Sequence, residues 1–117
     1  QGAMTWRVTK QQELQNQTGV EWTPGCTVHG FYIFRPKITR DIVATTDVDV
    51  AGRVLDAIRA IASRKQSTFG LCEFLDVADE CGLDLKTVLG AVKYLVNLQM
   101  AHIDVDRTGS AVFVKAR

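Results

Sequence analysis

Three successive stretches in the second half of the chain place apolar residues at intervals of three and four, and beyond them the interval drops to two. A period of 3.6 buries one face of a helix and a period of 2 one face of a strand, so the change of period dictates three amphipathic helices followed by paired strands. The first helix is predicted over residues 50–64, with Val54, Leu55, Ile58, Ile61 and Ala62 on one stripe and Asp47 or Asp49 as its cap. A short extended piece at 67–69 leads through Gly70 to a second helix with the apolar face Leu71, Phe74, Leu75, Ala78 and Cys81, ended by Gly82 as a left-handed cap. Asp84 caps a third helix, which runs to about Leu98 on Val88, Ala91, Val92, Leu95 and Leu98. Residues 101–106 and 111–115 alternate as strands, and Arg107-Thr108-Gly109-Ser110 supplies the turn of a hairpin.

Residues 5–45 hold no sustained period. Within them 5–9 and 26–34 read as extended, and 10–17 as a short polar helix or a loop. The run 28–34 is apolar on both faces and needs cover on each side, from the helical part or from a second copy of the chain. The opening Gln1-Gly2-Ala3-Met4 resembles what a tag-removing protease leaves before an initiator methionine. The expected organisation is a remnant at 1–4, an N-terminal extension at 5–46 that packs or dimerises, and one domain at 47–117, within the size a single domain takes.

Fourteen Lys and Arg against thirteen Asp and Glu leave a formal charge of +1, without the positive excess of an obvious polyanion binder. No apolar run approaches the roughly 18 residues of a membrane span, no signal-peptide core is visible, and three widely spaced cysteines do not make a disulfide scaffold. A cytoplasmic protein with free thiols, and with no membrane contact, is expected. Cys26-x-x-His29 is one weak metal handle, with Cys72, Cys81 and His102 as conceivable further ligands; burial in helices is the simpler account of Cys72 and Cys81, and no metal site is expected. Two histidines and scattered acids give no nucleophile-base spacing and no phosphate-cradling glycine loop, so neither catalysis nor a cofactor is expected.

Helix, short strand, helix, tight turn, helix, hairpin is the order of a winged helix. At Val77-Ala78-Asp79-Glu80-Cys81-Gly82-Leu83-Asp84 the chain resembles the helix-turn-helix of winged-helix transcription regulators such as the multiple-antibiotic-resistance and arsenic-resistance families. Ala78 matches the small residue at the helix crossing, Gly82 the turn glycine, Leu83 the buried turn residue and Asp84 the cap of the recognition helix. The resemblance covers about residues 47–117, at superfamily level. It implies an α+β winged helix-turn-helix fold with an N-terminal extension containing β-strand. It also implies a DNA-binding regulator of transcription or replication, from a prokaryote or mobile element, acting as a homodimer through the N-terminal region or first helix. Winged helices also serve as protein-interaction modules in larger complexes, and that alternative stays open.

If the third helix reads DNA, its outward stripe is Lys86, Gly90, Lys93 and Asn97, with Thr87 near its start, Arg107 at the wing tip, and Arg64 and Lys65 after the first helix. No arginine on that helix is available to read guanine. Four carboxylates on or near the polar side of the second helix, Glu73, Asp76, Asp79 and Glu80, oppose phosphate unless the helix tilts away from the duplex or they are paired with Lys86 or Lys93, and Asp104 and Asp106 stand near the wing. A second stripe on the third helix, Leu85, Leu89 and Val96, widens its apolar arc. Run 28–34, a homodimer partner or another protein must cover that patch. A solvated face of a structural helix accounts for the polar stripe as well as DNA does.

Overall fold

The computed structural model describes residues 2–24, 26–28, 30–64, 71–105 and 111–117. Among them it is an α+β fold of four helices, α1 (Gly2–Thr18), α2 (Val48–Arg64), α3 (Phe74–Cys81) and α4 (Leu85–Asn97), and two antiparallel hairpins, β1 (Cys26–Val28) with β2 (Phe31–Ile33) and β3 (Ala101–Val105) with β4 (Ala111–Ala116). None of these helices is long and apolar enough to cross a membrane.

α2 starts two residues before its apolar stripe suggests, because Asp47 Oδ1 accepts the N–H of Asp49 at 3.0 Å and of Val50 at 3.3 Å. It buries Ala51, Val54, Leu55, Ala57, Ile58 and Ile61. α3 starts at Phe74 rather than at Leu71, since Cys72 is held in a β-bridge: it donates to Val114 O at 2.7 Å and accepts from Val114 N–H at 2.9 Å. The stripe of α3 is accordingly Phe74, Val77 and Ala78, while Leu75 faces solvent. The extended piece expected at 67–69 lies outside the described residues. Gly82 closes α3 at φ 68°, ψ 29°, its N–H on Ala78 O at 2.9 Å and that of Leu83 on the same carbonyl at 3.2 Å. A Cβ is disfavoured in that left-handed backbone, which is why glycine stands there.

Asp84 then caps α4. Its carboxylate accepts the Thr87 hydroxyl at 2.5 Å and the Thr87 N–H at 3.3 Å, and the Thr87 hydroxyl is the main reason its carboxyl lies below the usual aspartate range. Met100 N–H turns back to Leu95 O at 2.8 Å, which directs the chain into β3. β3 and β4 pair with Ala101 opposite Ala116 and Ile103 opposite Val114, and the register slips between Asp104 and Val105. With the Cys72 bridge the order across this small sheet is Cys72, β4, β3. The turn at 107–110 lies outside the described residues.

The N-terminal region departs from expectation. Residues 5–9 are not extended but belong to α1, which also takes in 2–4. Polar helices carry no apolar stripe, so period alone does not mark them. Nor is 26–34 one strand: Val28 pairs with Phe31 and Cys26 with Ile33, so the run folds back on itself and supplies its own partner. Pairing continues outward, with Thr23 N–H on Arg35 O at 2.7 Å and Lys37 N–H on Glu21 O at 2.8 Å. Trp22 pins this arm to α1. Its indole N–H donates to Thr18 Oγ1 at 2.8 Å, Thr18 donates on to Leu14 O at 2.6 Å, and Gln11 Nε2 donates to Trp22 O at 2.8 Å. Trp22 is 1% exposed and shares one core with Val20, Ile42 and the buried faces of α2, α3 and α4. The extension and the domain expected at 47–117 are thus joined by a common core.

Candidate nucleic-acid interface

The expected reading stripe of α4 is open only at its ends. Lys86 and Asn97 are exposed, but residues 39–45 cross the helix between them. Thr45 N–H donates to Gly90 O at 3.0 Å, and Val43 O stands 2.6 Å from where a Cβ on Gly90 would sit. The strap's backbone therefore rests directly on the helix, an approach that only glycine at position 90 permits. Lys93 Nζ donates to Thr39 O at 2.8 Å and to Ile42 O at 2.6 Å, and Ile42 is buried. Two of the three ammonium donors thereby satisfy carbonyls of a non-regular segment that has no ladder of its own. The expectation that Gly90 and Lys93 form part of an open polar face is thus corrected. Helical period gives a residue's direction around the axis; it does not say where an aperiodic segment will lie.

The apolar patch is corrected in the same way. Leu85 and Leu89 are buried and Val96 half-buried, in the core cluster that includes Val20, Trp22 and Ile42. The segment laid across α4 is the strap at 39–45, not the run 28–34, which is taken up in its own hairpin.

Thr87 is half-buried with its hydroxyl on Asp84. Arg64 is exposed and paired with Glu80, and this guanidinium's hydrogen bond draws the Glu80 carboxyl below the usual range. Lys65, Arg107 and Asp106 lie outside the described residues. On α3 and its cap Glu73, Asp79 and Glu80 are exposed and Asp76 half-buried. Glu73 is paired with Arg35, and Lys93 is taken up by the Thr39 and Ile42 carbonyls instead: Arg35 Nε lies 3.7 Å from Glu73 Oε1, and its guanidinium sits 4.9 Å from the centre of the Phe113 ring. Glu73 and Glu80 are thus each matched by a guanidinium, and Asp79 is exposed on α3.

Arg35 and Glu73 also rim a cavity of about 280 Å³ between the end of β2 and the start of α3, walled by Phe34, Pro36 and Phe74. Its lining offers one carboxylate and one guanidinium. Cys72 Sγ donates to Ile58 O at 3.5 Å and Cys81 Sγ to Val77 O at 3.0 Å. Among the described residues no three His, Cys, Asp or Glu side chains are grouped to hold a metal; His29 lies outside them.

Sequence reasoning missed the strap and the Trp22 pin. One signal for the strap was present: a glycine inside a helix costs roughly 1 kcal/mol against alanine, and Gly90 points to a backbone passing close by. Comparison with known protein families, curated proteins and solved structures returns no match.

Proposed function

We propose that α2 to β4 form a winged-helix domain working as a protein-interaction module in the cytoplasm, without catalysis and without base readout by α4. The fold reading is supported by the element order, by the left-handed Gly82 turn between a buried Ala78 and a capping Asp84, and by the Cys72–β4–β3 sheet. The observation that carries the functional half is the strap across Gly90 and Lys93. A helix that reads bases must enter the major groove with its polar stripe bare. Here backbone fills the middle of that stripe, and the neighbouring helix turns carboxylates outward.

A regulator that binds DNA through α4 would have to shed the strap, and a salt series separates the two readings. Phosphate contacts release counterions, so the logarithm of affinity falls steeply against the logarithm of salt, by about 0.9 per phosphate neutralised. For the full chain on duplex DNA the expected result is weak binding with a shallow slope that Lys86→Ala leaves unchanged. A steep slope that Lys86→Ala reduces by about one unit would reinstate α4 as a DNA reader.

A further inference from the structure

We infer that the outer edge of β3 is a self-pairing surface whose occupant is β3 of a second copy of this chain. The direction of its backbone groups follows from its neighbours. Val114 exchanges two hydrogen bonds with Cys72, so its N–H and C=O point away from β3. Ile103 stands opposite Val114, and in an antiparallel ladder a pair not bonded to each other directs its groups outward on both strands. Arg117 N–H on Met100 O at 3.1 Å sets the same alternation from the other end. The N–H and C=O groups of Ala101, Ile103 and Val105 therefore line the outer edge of β3, where no described strand pairs with them. An edge of this kind is a template for another strand.

The side chains say which strand fits. Around a twofold axis at Ile103, an antiparallel copy sets Ile103 opposite the partner's Ile103 and Ala101 opposite the partner's Val105. These are the pairs whose main-chain groups point outward, so both can exchange their bonds. His102 then faces the partner's Asp104 in a pair without main-chain bonds, where opposed Cα atoms are only about 4.5 Å apart and side chains meet most closely. Both residues are exposed, and the symmetry makes two such contacts, each an imidazole N–H on a carboxylate. Lys115, across β4 from His102, adds positive charge on the same face. Parallel in-register pairing would instead set histidine on histidine and aspartate on aspartate. Val105, 54% exposed in the single chain, gains the partner's Ala101 beside it. The result is one sheet running β4, β3, β3, β4 across the axis. This names a partner the functional reading leaves open, and it does not depend on the strap.

The test is sedimentation of the full chain from low micromolar to near-millimolar concentration. A reversible dimer is expected, with exchange of the Ile103 amide slowing as the dimer fills. His102→Asp alone sets carboxylate against carboxylate twice, and Asp104→Lys alone removes both acceptors and leaves an ammonium facing each imidazole; each should weaken association about tenfold or more. The double variant sets aspartate against lysine at both contacts and should restore it, with circular dichroism unchanged throughout. A chain that stays monomeric across the range overturns the inference. So does a dimer that the single variants leave intact, or one that the double variant fails to restore.

Discussion

A chain cut back to residues 46–117 should aggregate or unfold rather than persist as a soluble monomer. The cut removes Val20, Trp22 and Ile42, all at or below 5% exposure, from the core they share with α4. The side of Gly90 under the strap then loses its cover, and the cluster these three residues belonged to is opened. At roughly 25 cal/mol per square ångström, a few hundred square ångströms of newly wetted apolar surface costs several kcal/mol, comparable with the whole stability of a small domain. Light scattering and thermal melting of the fragment are the readout. A monomeric fragment melting near the full chain's temperature would make the extension an independent appendage.

Gly90→Ala should destabilise the protein by about 1–3 kcal/mol, although alanine favours an isolated helix by roughly 1 kcal/mol over glycine. The reason is the 2.6 Å approach of Val43 O to the position a Cβ would take. Alanine pushes the strap's backbone away, which breaks the Thr45–Gly90 bond, loosens two carbonyls from Lys93 and lifts Ile42 out of the core. Each main-chain bond is worth about 1 kcal/mol net, bonds to a charged group about 1.5–3, and a buried isoleucine about 2. Even partial loss exceeds the propensity gain. Chemical denaturation decides the sign, and a stabilised Gly90→Ala would mean that the strap does not lie on α4.

The second half of the fold was legible because its signals are local. The stripes Val54-Leu55-Ile58-Ile61 and Val88-Ala91-Val92-Leu95 marked α2 and α4, Gly82 and Asp84 marked a left-handed cap and an N-cap, and alternation after Met100 marked β3 and β4. Leu75 misled because α3 is short: Cys72 holds the preceding residues in a bridge, and that shifts the helical phase onto Val77. The N-terminal half was illegible for a different reason. α1 is a polar helix held by the Trp22–Thr18 and Gln11–Trp22 hydrogen bonds between segments, and run 28–34 carries apolar residues on both faces, so neither shows a period. The candidate site inherited that gap. Lys86 and Asn97 stand in the open as the period indicates, while Gly90 and Lys93, on the same stripe, are covered by a segment with no period of its own.

The closure of α4 is tested most directly by amide hydrogen exchange at Thr45, whose N–H donates to Gly90 O at 3.0 Å inside the contact between strap and helix. In the full chain this amide should exchange with a protection comparable to those of α4 itself, because it opens only when the strap leaves the core. Exchange at the rate of an unstructured peptide, while α4 remains protected, would show the strap detached and the polar stripe of α4 bare.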